Sequence, residues 1–551
     1  MDPREARIGR AKMLGKLMPF QRQGVSFVVK AGGRGLIADE MGTGKSAQAL
    51  CVALHYPEEL PALIVAPASL RYSWAQEIEK WLPQLPPGEV RVAKGRSDVE
   101  AVLRKQCAFV VATYSLFTKT SQVAEAATKR GFGVVIVDES HYLRTPDSQR
   151  TKTLAPILEK AKRVILLSGT PALAKPVELY PQLAAISKDE FGSFNNFTKR
   201  YCDAKRGPFG WDVTGSSNLE ELYAKMQTRM IRRLKKDVLA QLPAKRRQLV
   251  DLFPKAAQSE SSSSSSSNAA SSSKEWKAAK EKVATLGTAA SAMIDAFQTG
   301  GNDLWQHRSE KNVALFDAWQ ASGLAKVAAG TAYVADLMDG QPTLKILVFA
   351  HHKAVMDAAD TAFSRLCQAQ KFTKIRIDGS TPSAERARLV DSFQRDPSVR
   401  LALLSVTAAG EGLTLTSASA VVFLELHFTP AVMTQAEDRA HRIGQKDSVN
   451  VHYLVVTDET YSVDMALWRS VARKVKTVGE ALDGDKNASL DVDDQSPAAF
   501  KEDRDFASFV VAQVPASGAT TAVSKADIRS FFSKTTTTTT TKKRPRSSHG
   551  G

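Results

Sequence analysis

Short apolar runs recur along this chain at the spacing of strand, helix, strand units. Four stand in its first third, ALIVAPASL (62–70), AFVVATYSL (108–116), GVVIVDESH (133–141) and RVILLSGTP (163–171), preceded by an apolar run that ends at Ala38. Each is rich in β-branched residues and bounded by a small or polar one, the pattern of a strand buried on both faces of a parallel sheet. A second set follows: KILVFAHH (345–352), KIRIDGST (374–381), VRLALLSVTAAGEGLTL (399–415), AVVFLEL (420–426) and VHYLVV (451–456). The pattern predicts an α/β fold with two sheets. Ligands of such sheets gather beyond the carboxyl ends of the strands, so the polar residues there are the informative ones.

Between these runs the periodicity is helical. Leu17 to Val29 reads as an amphipathic helix, and residues 172 to about 245 as mostly helical. The segment MIRRLKKDVLAQLPAKRR (230–247) is strongly basic and fits a phosphate-tracking patch and a brace between lobes equally well. The serine tract at 258–273 cannot bury a core and marks a boundary. The expected organisation is a first lobe over 1–250 with a helical insertion at about 172–245, a linker over 251–275, a second lobe over 276–490 and a disordered tail over 491–551.

Composition narrows the class. The chain has 551 residues, 43% of them hydrophobic, and a formal charge of +17, which points to a polyanionic partner, commonly nucleic acid. Cys51, Cys107, Cys202 and Cys367 are far apart and match neither a zinc-binding nor a disulfide spacing, so no structural zinc is expected. No apolar run approaches the length of a membrane span. The N-terminus lacks the apolar core of a signal peptide, and Asp2 and Glu5 argue against a mitochondrial presequence.

The chemistry concentrates in LIADEMGTGKS (36–46). Gly42 and Gly44 allow backbone N–H groups to converge on an anion, Lys45 supplies charge for the β- and γ-phosphates, Ser46 a hydroxyl for Mg2+, and the following helix its positive end. Asp39 departs from the general pattern, which has glycine or alanine there. Gln21, ahead of this loop, carries an amide able to read an adenine edge. Asp138 and Glu139 end an apolar run, where one carboxylate holds the metal and its neighbour activates water. Ser168 and Thr170 end the next run, placed to sense the γ-phosphate. In TQAEDRAHRIGQ (434–445), Arg439 and Arg442 lie three apart on an expected helix, hence on one face, as arginine fingers offered from the second lobe.

Taken together, DEMGTGKS, DESH, SGTP, LLSVTAAGEGLTLTSAS and QAEDRAHRIGQ resemble the motifs of Swi/Snf DNA-dependent ATPases of helicase superfamily two, in order and spacing over about residues 17 to 470. RYCDAKRGPFGWDVTGSSNLEEL and RRLKKDVLAQLPAKRR resemble the annealing-helicase branch, the HARP-type proteins and their zinc-finger Ran-binding-domain relatives. The resemblance implies two RecA-like lobes with parallel sheets, ATP and Mg2+ as cofactors, and tracking on double-stranded and branched DNA. It implies nucleotide binding by Gln21, Asp39, Glu40, Met41, Gly42, Thr43, Gly44, Lys45 and Ser46, and catalysis by Lys45, Asp138, Glu139, Arg439 and Arg442. Ser46 and Asp138 would hold the metal. It further implies DNA contacts by Ser69, Thr113, Ser380 and Thr407, and coupling through His141, Ser168, Thr170, Gly410 and Gln435. No HARP repeat, zinc finger or nuclease motif is recognised in the sequence.

In the tail, Ile528, Phe531 and Phe532 stand at the i, i+3, i+4 spacing of a helical plug. This resembles the motif that docks on the sliding clamp, with Lys525 in place of the consensus glutamine. Lys542 to Arg546 reads as a nuclear import signal. Three functions follow: an ATP-driven translocase that anneals DNA or regresses stalled forks, a nucleosome or protein–DNA remodeller with the same engine, or a non-catalytic clamp adaptor. The intact Lys45, Asp138, Glu139, Arg439 and Arg442 favour the enzymes.

Overall fold

The computed structural model describes residues 2–252, 310–456, 463–485 and 490, apart from short gaps at 87, 96–97, 99–106, 119–120, 173–174, 208–209, 240, 340 and 410–412. Gly410, the serine tract and the clamp-motif residues therefore lie outside the described residues.

Two parallel sheets organise the described chain. The first contains β1 (Arg34–Ile37), β2 (Ala62–Ala66), β3 (Val90–Val92), β4 (Phe109–Thr113), β5 (Val134–Asp138), β6 (Arg163–Leu167) and β9 (Met230–Ile231), in the order β3-β4-β2-β5-β6-β1-β9. β2, β4 and β5 are buried at every position, as the apolar runs require. Helices cover both faces, so the core splits into two apolar layers, one around Leu63, Val110, Val135 and Leu166 and the other around Ile64, Val111, Ile136 and Ile165. This alternation is the side-chain period of a strand seen from its two sides.

The second sheet comprises β10 (Lys245–Asp251), β11 (Ile346–Ala350), β12 (Thr373–Ile377), β13 (Val399–Ser405), β14 (Ala420–Phe423) and β15 (Val449–Val455), ordered β10-β15-β14-β11-β13-β12. Here the expected boundary moves. The first lobe was to run to residue 250, but β10 pairs residue for residue with β15 from Lys245↔Val449 to Asp251↔Val455. The second sheet thus begins before the serine tract, because Leu249 packs in the second core while Arg247 meets a buried carboxylate of the same lobe.

The stretch 172–245 is likewise less helical than its pattern predicts. After the helices Tyr180–Phe191 and Phe194–Tyr201, β7 (Lys205–Gly207) and β8 (Gly210–Asp212) form an exposed antiparallel hairpin. The basic segment then becomes β9, one helical turn at Lys235–Val238, and β10. A last helix, Val463–Asp483, leaves the second lobe and buries Ala481 and Leu482 in the first lobe's core.

Candidate active site between the lobes

β1 delivers the chain to Ala38, and the helix Lys45–Ala53 carries it away. The turn between them needs left-handed backbone at Gly42 (φ 83°) and Gly44 (φ 81°), which glycine adopts without steric penalty. Gln21, in the helix Pro19–Lys30, bridges to this turn: its Nε2 donates to Thr43 O at 2.8 Å and its Oε1 accepts from Met18 N at 2.9 Å. Thr43 Oγ1 donates to Glu40 O, and Lys45 Nζ donates to the carbonyls of Asp39 (2.9 Å) and Glu40 (3.2 Å). Burial lowers the Lys45 pKa, against the pull of Glu139, Asp39 and Asp138.

Asp39, the residue that breaks the general motif, has a separate task. Its fully buried carboxylate accepts from Arg233 Nε at 2.8 Å and Nη2 at 2.5 Å, and from Gln48 Nε2 at 3.0 Å. The side chain expected among the nucleotide ligands instead ties the phosphate loop to the segment leading out of the lobe.

Asp138 and Glu139 stand at the end of β5, both buried. Trp74 Nε1 donates to Asp138 Oδ2 at 2.8 Å, and the Glu139 amide donates to Asp138 Oδ1 at 2.9 Å. Burial and the neighbouring Glu139 charge push the Asp138 carboxyl up to about 6. For Glu139 burial acts in the same upward sense, but the hydrogen bond and charge of His141, with the charges of Lys45 and Arg439, outweigh it and hold the carboxyl below its ordinary value. Glu139 is left-handed (φ 49°), an uncommon conformation outside glycine that recurs at functional sites. The two neighbouring carboxyls are thereby shifted in opposite directions.

From Glu139 a polar chain crosses the cleft. His141 Nδ1 lies 3.3 Å from Glu139 Oε2 and 3.1 Å from Ser168 Oγ, which accepts from the Thr170 amide at 3.2 Å. Thr170 Oγ1 in turn accepts from Gln435 Nε2 of the second lobe at 2.9 Å. Four residues expected to couple hydrolysis to motion thus form one connected path.

The arginines arrive by a different geometry from the one their spacing predicts. The helix Pro430–Glu437 stops before them, and Arg439 and Arg442 stand in the turns that follow. At the helix end Glu437 and Asp438 meet cations: Arg247 Nη2 and Lys245 Nζ each lie 2.8 Å from Glu437, and Lys235 Nζ and Lys245 Nζ lie 2.8 and 3.1 Å from Asp438. Both arginines still converge, donating to Leu413 O, and Arg442 also to Thr414 Oγ1 at 2.6 Å. Arg442 packs so closely on the phosphate loop that a Cβ at Gly42 would come within 2.6 Å of its own Cβ. Buried Arg439 acts electrostatically on Glu139.

The basic segment's role as a brace is explicit in these contacts. Besides Arg233, Arg232 donates to Ala38 O at 3.0 Å and Gly169 O at 3.1 Å, and pairs with Asp483 of the last helix. Sequence reading missed Arg232, Arg233, Gln48 and Trp74. An acid at the first position of the phosphate loop was the available signal for a buried cation nearby.

The residues expected on DNA all follow strand ends: Ser69 after β2, Thr113 at the end of β4, Ser380 after β12 and Thr407 after β13. Ser380 and Thr407 are exposed, Thr113 is buried with its Oγ1 2.9 Å from Ser115 Oγ, and Ser69 is half-buried. For the metal, Ser46 and Asp138 offer hard oxygen donors. No group of three or more His, Cys, Asp or Glu side chains among the described residues is arranged to hold a metal ion.

Comparison with known proteins agrees with this arrangement. The family model for the SNF2-related domain matches residues 20–295, and that for the helicase conserved C-terminal domain matches residues 330–444. A Bos taurus relative, "DNA annealing helicase and endonuclease ZRANB3", is 40% identical over 510 residues, covering 92% of this chain and 44% of its own length. The Xenopus laevis "SWI/SNF-related matrix-associated actin-dependent regulator of chromatin subfamily A-like protein 1" is 42% identical over 476 residues, covering 86% of this chain and 44% of its own length. The chain thus spans under half the length of these curated relatives. A solved "Sulfolobus solfataricus SWI2/SNF2 ATPase core in complex with dsDNA" aligns over 80% of this chain and 88% of its own at 22% identity and TM-score 0.37, too loose to bear on the geometry of the cleft.

Proposed function

Because this chain belongs to the SNF2-related family, we propose that it is an ATP-driven translocase on double-stranded DNA that anneals strands or regresses stalled replication forks. The observation that supports this reading is the packing of Arg442, from the second lobe, against the phosphate loop at Gly42.

In this reading the phosphates of ATP lie against the loop 39–46, where Lys45 exchanges its carbonyl partners for phosphate oxygens. Ser46 and Asp138 would hold magnesium, which would supply neutralising charge when bound. Glu139, kept ionised, orients the attacking water and takes its proton. Arg439 and Arg442 stabilise the charge that develops as the γ-phosphoryl group leaves. The path from Glu139 through His141, Ser168 and Thr170 to Gln435 links this event to the second lobe. Ser69, Thr113, Ser380 and Thr407, at or just beyond strand ends, are the proposed contacts to the DNA backbone. Clamp docking by Ile528, Phe531 and Phe532, and a nuclear location, belong to the same reading.

ATP hydrolysis assayed beside duplex, forked, single-stranded and nucleosomal DNA tests the whole. Forked or junction DNA is expected to stimulate most, and Lys45→Ala and Glu139→Gln should abolish turnover while DNA binding persists. Indifference of the ATPase to DNA, or unaltered hydrolysis by Glu139→Gln, would overturn it.

A further inference from the structure

Trp211 is 61% exposed, the most exposed of the large apolar side chains among the described residues. It stands on β8 of the hairpin, directly opposite Arg206 on β7, so the indole and the guanidinium leave the same face side by side. Lys199, from the end of the preceding helix, brings its Nζ to 5.9 Å from the indole centroid. Around them, Lys205 is paired with Asp203 at 2.6 Å and Arg200 with Glu221 at 2.5 Å. Lys199 and Arg206 have no carboxylate partner in an ion pair among the described residues, so this face combines an exposed indole with two cations that no carboxylate neutralises.

Two positively charged side chains flanking an exposed indole match one ligand chemistry closely: a base to stack on the ring, with its own phosphates beside the cations. A duplex offers phosphates but keeps its bases stacked, so it can use the cations and not the indole. An unpaired nucleotide uses both. The hairpin also lies toward the second lobe. Asp212 on β8 interacts electrostatically with Lys175, and Lys175 with Lys474 of the last helix, which donates to Phe428 O.

We propose that the Trp211 face of the β7–β8 hairpin binds the first unpaired nucleotides of single-stranded DNA at a junction with duplex, by stacking a base on Trp211 between Arg206 and Lys199. The inference rests on the DNA-translocase reading and adds to it the residues that distinguish a junction from plain duplex.

The test uses the full chain and a forked DNA carrying 2-aminopurine at its first unpaired position, without ATP, beside a blunt duplex of equal length. The unaltered protein should quench the fluorescent base on binding. Trp211→Ala should abolish the quench and weaken fork binding about tenfold, with duplex binding unchanged, while Trp211→Phe retains most of both. Arg206→Ala with Lys199→Ala should flatten the salt dependence of fork binding more than that of duplex binding. Equal quenching by Trp211→Ala and the unaltered chain, or an equal loss on fork and duplex, would overturn the inference. Failure of the underlying reading is seen separately, as an ATPase of the unaltered chain that duplex DNA does not stimulate.

Discussion

Arg232 and Asp483 are 251 positions apart in sequence, yet their side chains meet at 2.5 Å, joining the exit of the first lobe to the last helix of the second. The same guanidinium holds Ala38 O and Gly169 O, so a single residue touches the phosphate-loop strand, the loop after β6 and the helix Val463–Asp483. Asp483→Asn is expected to lower stability by about 1 to 2 kcal/mol, since the pair is largely but not fully shielded from solvent. Denaturant titration reads the loss. A wild-type transition would show the helix is held by its apolar end alone.

Gly42→Ala tests the closeness of the lobes. The added methyl meets Arg442 Cβ at 2.6 Å and sits on a backbone with φ 83°, so both the clash and the conformation oppose it. ATP turnover should fall at least tenfold, while circular dichroism stays that of the parent fold.

Thr170→Val removes the hydroxyl that accepts from Gln435 Nε2 and leaves the shape nearly intact. A lost neutral hydrogen bond of about 0.5 to 1.5 kcal/mol predicts a two- to tenfold decrease in DNA-stimulated kcat. KM for ATP should be unchanged, because the side chain bridges lobes rather than phosphates. A change confined to KM would place Thr170 on the nucleotide.

The buried carboxylates of Glu437 and Asp438 set an acid limit. Burial opposes their charge, but Arg247 and Lys245 hold Glu437 down at about 2, and Lys235 and Lys245 hold Asp438 lower still. Their folded pKa values lie below the unfolded ones near 4, so their contribution is complete above about pH 4 and is lost as pH falls toward 2. Thermal melts between pH 7 and 4.5 should therefore show no loss from this network, with a decline setting in below. Glu437→Gln should shrink that acid-dependent loss.

Strands buried on both faces were readable because nothing but apolar, β-branched residues can fill them, and β2, β4, β5, β11 and β14 fall within their expected runs. The phosphate loop and the Asp138-Glu139 pair were readable for a related reason: their chemistry requires fixed residue types at fixed spacing. β10 was not. Its KRR opening reads as a surface charge cluster, and the acid that neutralises Arg247 lies 190 residues later in sequence. Arg439 and Arg442 show the converse. Their spacing fits a helix face, but the helix ends at Glu437, where Glu437 and Asp438 pair with Lys235, Lys245 and Arg247 from a distant stretch of the sequence. The β7–β8 hairpin, with three residues to a strand, is too short to register as a period.

That the second sheet already opens with β10 changes where the two halves are joined. The peptide between them is the short run from Leu239 to Ala244. Its two ends are held by Lys235 and Lys245 to one carboxylate, Asp438, so the joint between the halves is a few residues long and pinned at both sides.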